Sequence, residues 1–482
     1  MAILLPKLPF THPNYSMRSF TLFLLLAVLA LPVSAFQRSV SVQQYVSYDA
    51  SMVVIENATV IDGTGSAART GQTILMQDGR ISAVGADVNI PEGAERIDGS
   101  GKTVIPGLIG MHNHTFYTTS QRRIQLDYTA PMLYLASGVT TIRTTGSYAP
   151  YSELELKQAI NRGQRVGPKM FITGPYITGG EGYTYMTRLK DADDAKRVVK
   201  YWAEEGVDWF KAYNMISRDE LKAAIEEAHA HGLKVTGHLC SVSFREAVAL
   251  GIDNLEHGFF TNTDYDEDKP LDECPTDFRE SLIGMEMDSD EVQATFKEMI
   301  DAGVGMTSTL AVYEMYVPNR PPLEQRVLDA MSGEVQQEYL QTRANIADQN
   351  SQMWKQLFAK SLEFEKAFVE AGGLLASGVD PTGYGGALPG YGDQRNFELL
   401  HEAGFETAEV VQIMSLNGAD ILGIASETGS IEAGKWADLV LIDGDLSSDP
   451  ALIRNVQMVF REGIGYDAPA MVRAIEGKVG VQ

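Results

Sequence analysis

Two histidines separated by a single residue close an apolar segment early in the chain. His112 and His114 follow the apolar residues 108–111. In a β-strand, side chains two residues apart point to the same side. Two imidazoles on one side, at the end of a buried strand, can bind one divalent metal ion. For this pair taken alone, a pair of ordinary polar loop residues is an equally good interpretation.

Four further residues that suit a metal centre lie in or just after other predicted strands. His238 and His257 each close a β-like segment, while Lys211 lies within one. Asp380 directly follows another. Histidine together with carboxylate is a typical ligand set for zinc or a similar divalent ion. The proposed chemistry depends on whether the fold brings these distant residues together.

An alternation of strands and helices after Pro106 would position them, and it is typical of parallel βα units. The predicted strands cover residues 108–112, 139–143, 170–173, 209–213, 234–238, 254–257, 304–309 and 374–379. Their number is that of a closed (β/α)8 barrel of the TIM type. In such a barrel the C-terminal ends of the strands converge on the face where active sites are built. The sequence therefore predicts that all six residues meet in one pocket.

Lys211 requires a separate explanation, because an ammonium group does not bind metal ions. Inside a barrel the loss of hydration lowers the pKa of a lysine, and the neutral amine can react with CO2 to form a carbamate. A carbamate is a carboxylate that can bridge two metal ions. From the residues alone, a buried salt bridge of Lys211 is the simpler alternative, and both stay open.

Both ends of the mature chain have short β-like patterns instead. Residues 36–105 contain two such segments joined by Asp78-Gly79, a strong signal for a two-residue hairpin turn. Residues 425–482 are β-like again and have too few strands for a core of their own. We therefore predict an α/β protein in which residues 106–424 form the barrel and the two end segments together form a β-sandwich.

The first 35 residues have the pattern of a secretory signal peptide. Arg18 precedes the apolar run 20–31, and Pro32-Val-Ser-Ala35 is a small-residue cleavage pattern. We predict cleavage near Ala35 and a mature protein that is periplasmic or secreted. Met17 is an alternative start, and an uncleaved membrane anchor is the alternative interpretation of this segment.

The composition limits the classes of partner. The formal charge of -25 at pH 7 argues against binding polyanions such as DNA or anionic lipid. We therefore expect no nucleic-acid partner, and no membrane contact after signal cleavage. The two cysteines, Cys240 and Cys274, lack zinc-finger spacing, and an oxidising compartment would allow them to pair. Formation of a homo-oligomer is left open.

Taken together, the motifs resemble the amidohydrolase superfamily, in particular its imidazolonepropionase-like and prolidase-like branch. The matching segments are Pro106-Gly-Leu-Ile-Gly-Met-His-Asn-His114, Asp208-Trp-Phe-Lys211-Ala-Tyr, Val235-Thr-Gly-His238, Asn254-Leu-Glu-His257-Gly, Ala376-Ser-Gly-Val-Asp380, Asn417-Gly-Ala and Gly429-Ser-Ile-Glu-Ala-Gly-Lys-Trp-Ala-Asp438-Leu. Each segment is a weak signal, but the ordered set is specific and covers nearly all of the mature chain. The resemblance implies a metal-bearing barrel plus a β-sandwich built from both chain ends.

The resemblance also implies a binuclear metal centre. Its ligands would be His112, His114 and Asp380 for the more buried ion, His238 and His257 for the second, and an N6-carboxylated Lys211 bridging both. Two zinc ions are expected, with manganese or cobalt as alternatives. A hydroxide shared between the ions would be the nucleophile, and Asp380 would pass its proton to the leaving group. A mononuclear site with uncarboxylated Lys211 is the alternative.

The implied function is that of an amidohydrolase, a hydrolase acting on a carbon–nitrogen bond other than an ordinary internal peptide bond. The substrate would be a small molecule, either an amide or a cyclic amide, or a dipeptide ending in an imino or hydrophobic acid. An Xaa-Pro dipeptidase of the prolidase type is the alternative and would require an anchor for a free carboxylate. A lactonase is a weaker alternative. A binding protein without catalysis would be expected to lack Asp380 or one of the histidines, and this chain has them all.

Two more residues are candidates for contacts with the substrate. Tyr213, two residues after Lys211, would point to the same side and could hydrogen-bond a substrate carbonyl; core packing is the alternative. Arg143 could bind a substrate carboxylate through two hydrogen bonds, and a salt bridge inside the barrel is the alternative. Glu256 is predicted to alternate away from His257 and to be structural.

Overall fold

The computed structural model describes residues 38–180, 184–382 and 384–481. The predicted signal peptide, residues 1–35, lies outside the described residues, so its cleavage and the export of the chain stay predictions. Among the described residues, no helix is both long enough and apolar enough to cross a bilayer.

The N-terminal segment consists mainly of strands. Its elements are α1 (Val40–Gln43), β1 (Val46–Tyr48), β2 (Met52–Val60), β3 (Arg69–Gln77), β4 (Arg80–Gly85), β5 (Glu95–Asp98) and β6 (Lys102–Pro106). The turn between β3 and β4 has φ values of 49° at Asp78 and 81° at Gly79. Positive φ at both central residues is what a tight hairpin of this kind requires.

The central segment alternates strands with helices. Its strands are β7 (Leu108–Asn113), β8 (Phe116–Thr118), β9 (Arg123–Gln125), β10 (Val139–Thr144), β11 (Lys169–Phe171), β12 (Thr173–Thr178), β13 (Thr187–Arg188), β14 (Trp209–Ala212), β15 (Lys234–Gly237), β16 (Asn254–Glu256), β17 (Gly305–Ser308) and β18 (Leu375–Ser377). Its helices are α2 (Thr129–Ala136), α3 (Pro150–Asn161), α4 (Ala192–Glu205), α5 (Arg218–Ala230), α6 (Phe244–Leu250), α7 (Arg279–Ile283), α8 (Asp290–Asp301), α9 (Leu310–Glu314), α10 (Gln325–Ala330), α11 (Gly333–Gln349), α12 (Gln352–Glu370), α13 (Tyr391–Glu402), α14 (Thr407–Ile413) and α15 (Leu416–Leu422). A short 3₁₀ turn covers Gly258–Thr261.

The C-terminal segment returns to strands. Its elements are β19 (Leu439–Asp443), a 3₁₀ turn at Pro450–Arg454, β20 (Val456–Arg461), β21 (Ile464–Asp467) and α16 (Ala468–Ile475). An antiparallel ladder pairs β19 with β6, for example Val440 with Ile105. Strands from both ends of the chain therefore share one sheet, in the order β1-β21-β20-β19-β6-β2-β3-β4 with β5 beside β2. The exact domain boundaries at residues 105 and 424 stay predictions.

Helix starts in the central segment are fixed by local polar contacts. The side chains of Ser217 and Ser243 each accept a hydrogen bond from the backbone N–H three residues later. The carboxylates of Glu220 and Glu246 in turn accept a hydrogen bond from the backbone N–H of these serines. This reciprocal cap satisfies two backbone donors that a helix start leaves unpaired. It fixes where α5 and α6 begin after the loops that follow β14 and β15.

The central sheet is parallel throughout its ladders. Its order is β11-β10-β7-β18-β17-β16-β15-β14-β12-β13. β11 is the first strand of this order and β12 is next to the last, yet the two are adjacent in sequence, because only Ile172 separates them. The former pairs with β10 and the latter with β14. Since all these strands run in one direction, their C-terminal ends share one edge, and the loops after them meet there.

Candidate metal centre

The structure brings the six predicted metal-site residues to one cavity at this edge. His112 lies one residue before the end of β7 and His114 follows this strand, Lys211 lies in β14, and the other three residues follow their strands. The cavity has a volume of about 460 Å³ and its lining includes His112, His114, Lys211, His238, His257 and Asp380. All of them are buried except His238, which is half-buried. Residues spread over most of the central segment thus face a common space.

The first part of the centre is a compact group of donor atoms. One ligand atom each from His112, His114 and Asp380 lies within 4.8 Å of the others. The Asp380 carboxylate is 3.3 Å from His114 Nε2 through Oδ1 and 3.7 Å from His112 Nε2 through Oδ2. Two imidazoles and a carboxylate are ligands that zinc and similar ions accept. The donor set therefore fits a divalent ion.

The backbone of β18 places Asp380 close to β7. Gly378 approaches His112 so tightly that a Cβ at this glycine would lie 2.2 Å from the His112 backbone nitrogen. The Asp380 N–H then donates to the His112 carbonyl at 2.7 Å, with Asp380 at φ 46°. A left-handed aspartate is uncommon and is stabilised here by this contact. The two strands are thus joined where their ligands meet.

The second part of the centre contains His238, His257 and Lys211. The rings of the two histidines lie 4.3 Å apart between centroids. His257 Nδ1 shares a hydrogen bond of 2.7 Å with the Thr309 hydroxyl, while its buried Nε2 has no hydrogen-bond partner among the described residues. Lys211 Nζ lies 3.5 Å from His112 Nε2, so the lysine reaches from the second part to the first.

Burial decides the ionisation of the histidines. Desolvation lowers the pKa of His112, His114, His238 and His257, in three of them well below the ordinary value. A neutral imidazole is the form that binds a metal ion. All four side chains are therefore in the form that a metal centre requires.

The two other titratable ligands respond differently to burial. Burial raises the pKa of Asp380, but His112 and His114 outweigh this effect and bring the pKa to about 2. Burial lowers the pKa of Lys211 to about 8. The carboxylate is thus ionised at neutral pH, whereas the lysine loses its proton more easily than an exposed one.

The side chain of Glu256 reaches the metal centre, which corrects the interpretation that strand alternation turns it away. Its Oε2 accepts a hydrogen bond of 2.7 Å from His112 Nδ1, and its Oε1 pairs with Arg143 Nη2 at 2.5 Å. His257 is the residue that departs from strand geometry, since its φ is 68°. That conformation brings Glu256 and His257 to the same centre. Glu256 fixes His112 so that Nε2 faces the cavity, a contact that typically orients metal-binding histidines.

Arg143 and Tyr213, the two candidates for substrate contacts, have different surroundings. Arg143 is fully buried, bonds Glu256 and the Met111 carbonyl, and does not line the cavity. The structure therefore favours the salt bridge over a role in binding a substrate carboxylate. Tyr213 does line the cavity, and its ring lies 4.6 Å from the His238 ring.

Sequence reasoning missed the aromatic walls of the cavity. They consist of Phe116, Tyr148, Tyr176, Tyr185, Tyr213, Tyr313, Tyr316 and Tyr384, with Arg123 among them. Tyr176 lies nearest to the ligands, with its hydroxyl 3.5 Å from His114 Nε2. Most of these residues lie in loops without periodicity. The clustering of tyrosines after predicted strand ends was the only available signal.

A comparison with protein families finds one match. The profile of the amidohydrolase family matches residues 103–267 and 388–465 of this chain. The matched ranges contain five of the six metal-site residues, and Asp380 lies between the ranges. Together the ranges cover about half of the chain.

Several proteins are similar to this chain. A structure from Bifidobacterium longum, provisionally assigned as a prolidase, is 25% identical with a TM-score of 0.63, covering 88% of this chain and 99% of that one. A Xaa-Pro dipeptidase with methionine bound in its active site is 19% identical with a TM-score of 0.65, covering 86% of this chain and 100% of that one, which shows the fold alone. An imidazolonepropionase from Vibrio cholerae is 25% identical over 240 residues, 39% of this chain and 59% of the relative. The chain spans about half the length of the curated relatives it matches.

Proposed function

Because this chain belongs to the amidohydrolase family, we propose that it is a metal-dependent hydrolase of a carbon–nitrogen bond in a small amide. The observation that carries the proposal is the convergence of His112, His114 and Asp380, whose donor atoms lie within 4.8 Å of one another. The group is buried and opens into a cavity of about 460 Å³. That volume suits a small molecule and is within the usual range for ligand pockets.

Each residue of the centre would have a distinct role in the hydrolysis. A bound divalent ion supplies Lewis acidity and makes water a stronger acid. Glu256 orients His112 through its Nδ1, and burial keeps the imidazoles neutral. The ionised Asp380 accepts a proton from the attacking water and then donates it to the leaving nitrogen. Tyr213, which lines the cavity, would donate from its hydroxyl to the carbonyl oxygen of the substrate.

A second ion is the finer part of the proposal. The partnerless Nε2 of His257 and the neighbouring imidazole of His238 are suitable donors. The neutral Nζ of Lys211 would add to the carbon of CO2 and release one proton, giving a carbamate next to His112. Such a group would bridge ions in the two parts of the centre. We propose zinc, with manganese or cobalt as alternatives that the same ligands accept.

Closure of the central sheet and export of the chain belong to the same proposal. The short connection between β11 and β12 supports a closed (β/α)8 barrel, because the joined segment pairs with β10 on one side and β14 on the other. The sheet that combines both chain ends supports a β-sandwich beside it. The N-terminal pattern supports a periplasmic or secreted protein.

The proposal is tested by metal analysis together with hydrolysis assays. The purified chain is expected to contain stoichiometric divalent metal, and a panel of amides, cyclic amides and dipeptides should include a substrate whose hydrolysis stops on chelation. Asp380→Asn is expected to lower kcat by about 10²- to 10⁴-fold, the usual contribution of a positioned acid or base. Asp420→Asn, an exposed change at the end of α15, is the matched control. Metal-free protein that gains no turnover when metal is supplied would contradict the proposal.

A dipeptidase of the Xaa-Pro type is the second candidate. It is favoured by the 25% identity to the provisionally assigned prolidase, which this chain covers almost completely. Such an enzyme requires a free carboxylate next to the scissile bond. Hydrolysis of Xaa-Pro dipeptides but not of their C-terminal amides would select this candidate over the general amidase.

A further inference from the structure

The aromatic wall of the cavity carries one arginine, Arg123, that pairs with no acidic side chain in the part of the chain that the structure describes. Arg123 lies in β9, opposite Thr118 of β8, and its side chain is exposed toward the cavity that it lines. Among the described residues it forms no ion pair. Its guanidinium instead lies over two rings, 3.5 Å from the centroid of Tyr185 and 4.6 Å from that of Tyr148.

The adjacent arginine shows that this lack of a partner is local. Arg122 Nη2 contacts the carboxylate of Glu334 at 3.0 Å and that of Glu338 at 2.5 Å. It does not line the cavity. Two consecutive arginines thus have different surroundings, and Arg123 is the one that presents its fork of donors to the cavity. Such a fork matches a carboxylate in shape and charge.

A line of ring contacts connects Arg123 to the metal ligands. The ring of His114 stacks on Phe116 at 4.2 Å, and Phe116 lies 3.9 Å from Tyr148. Tyr148 is the residue beneath Arg123. Two aromatic rings therefore lie between a metal ligand and the arginine. In a dipeptide the carboxylate follows the scissile bond within about one residue length, roughly 3.6 Å, so the anion bound by Arg123 would belong to a longer substrate.

A second group of aromatic side chains, after β17, borders the same cavity. Tyr313 stacks on Phe260 at 3.7 Å, and Tyr316 stacks on Trp354 at 4.6 Å. These supporting rings fix the faces that border the cavity. A cavity bordered by preformed aromatic faces favours a ligand with a flat aromatic group, because offset and edge-to-face ring contacts add to the burial of apolar surface.

Charge points in the same direction. Burial raises the pKa of the Tyr148 phenol beneath Arg123, so this ring stays neutral at physiological pH. Outside the metal centre, Arg123 is the one formal charge among the described residues that line the cavity. In a chain with a net charge of -25, an anionic substrate would depend on such a local cation to enter.

We propose that the cavity takes an aryl amide whose ring carries a carboxylate at the end distant from the scissile bond, and that Arg123 binds this carboxylate. The proposal rests on the proposed amide hydrolysis. The ring would lie between the aromatic walls, with its amide at the metal ligands and its anion on the guanidinium. Arg123 is then a specificity-determining residue and has no part in the chemical step.

The test compares two matched pairs of probes in the metal-loaded full chain. The first pair consists of the N-acyl derivatives of 4-aminobenzoate and of 4-aminobenzamide, which differ only in the charge at the distant end. The second pair is reversed, with the carboxylate or the carboxamide on the acyl ring. The wild-type chain is expected to prefer the charged probe in kcat/KM by about 10- to 100-fold, as for a hydrogen bond to a charged group. Arg123→Gln should reduce this ratio to near one, and Arg123→Lys to an intermediate value. Arg122→Gln should keep the wild-type ratio.

Three outcomes would overturn the proposal. They are a wild-type ratio near one, an Arg123→Gln variant that keeps the ratio, or an Arg122→Gln variant that loses it equally. Calorimetry with 4-acetamidobenzoate and 4-acetamidobenzamide measures binding without hydrolysis. It therefore distinguishes a failure of the anion site from a failure of the proposed amide hydrolysis. If no amide is hydrolysed but the charged ligand still binds more tightly through Arg123, only the hydrolase is excluded. Equal binding of both ligands excludes the anion site.

Discussion

The two parts of the metal centre differ in what the chain itself supplies. His112, His114 and Asp380 already combine two imidazoles with a carboxylate. Among the described residues, the one carboxylate that approaches His238 or His257 within 4.0 Å is that of Asp380, whose Oδ2 lies 4.0 Å from His257 Nδ1, and that nitrogen already bonds Thr309. The first part can bind a cation with its own atoms, whereas the second requires an additional anionic ligand. Lys211, after carboxylation, is the residue that could provide it.

The two parts also differ in how their loops are secured. Behind the first part, the Asn113 amide donates to Asp393 at 3.2 Å and the Thr115 hydroxyl donates to Glu153 at 2.8 Å, all buried. The loop after His238 is instead secured covalently, because Cys240 forms a disulfide with Cys274. A hydrogen-bonded network fixes the orientation of side chains, while a disulfide limits mainly how far the loop can unfold. Variants that affect one part at a time separate the contribution of the hydrogen-bonded network from that of the disulfide.

Among the changes that compare the two parts, the largest effect is expected from replacing the lysine that connects them. Lys211→Met should reduce the metal content from two equivalents to one. It should also lower kcat by about 10²- to 10³-fold, as the loss of one preorganised group in an active site typically does. Lys211→Glu, which supplies a carboxylate directly, should restore the second equivalent. Metal analysis and amide hydrolysis provide the two readouts.

Lys222→Met is the control for Lys211, since Lys222 is exposed on α5 and pairs only with Glu226. Two equivalents of metal in Lys211→Met would show that the second part binds its ion without the lysine. A single equivalent in the wild-type chain would instead indicate a mononuclear centre on the first part. The two parts would then differ in function, because only the first would bind an ion.

A smaller effect is expected from Glu256→Gln, which acts on the first part. The change weakens the orientation of His112 and should reduce metal affinity by about 10- to 100-fold, as for other partners of ligand histidines. It also leaves Arg143 buried without its counter-ion, which should destabilise the fold by about 3–5 kcal/mol. Competition with a chelator and urea unfolding measure the two effects.

The double variant Glu256→Gln/Arg143→Met distinguishes these effects. It removes the unpaired charge, so stability should largely return while the metal affinity stays low. Recovery of both would mean that Glu256 acts on the metal only through the stability of the fold.

The convergence of the six metal-site residues could be predicted because their spacing and their positions at strand ends carry the information. Alternation within a strand puts His112 and His114 on one side, and parallel strands put distant strand ends together. Membership of the amidohydrolase family, predicted from the same motifs, is confirmed by the profile match. The assignment of each residue to an ion stays a prediction.

The surroundings of the ligands could not be predicted, because they depend on departures from regular geometry. The third strand was expected to end at residue 173 but resumes as β12 and continues to Thr178, despite Gly174 and Pro175, and thereby places Tyr176 at the centre. The positive φ of His257 cancels the alternation that would separate it from Glu256. Neither the turn of a single residue nor the contacts of Arg123 has a periodic signal in the sequence.

The smallest effect on activity is expected from removing the disulfide behind the second part. The cystine closes a segment with a sequence separation of 34, so Cys240→Ala/Cys274→Ala should lower the free energy of unfolding by about 2–4 kcal/mol. Below the unfolding transition kcat should fall less than about tenfold, because neither cysteine touches the reacting atoms. Any loss of metal should concern the ion at His238 and His257 first. Urea unfolding and stepwise chelation check this order, and equal loss from both parts would show that the disulfide does not act on the second part alone.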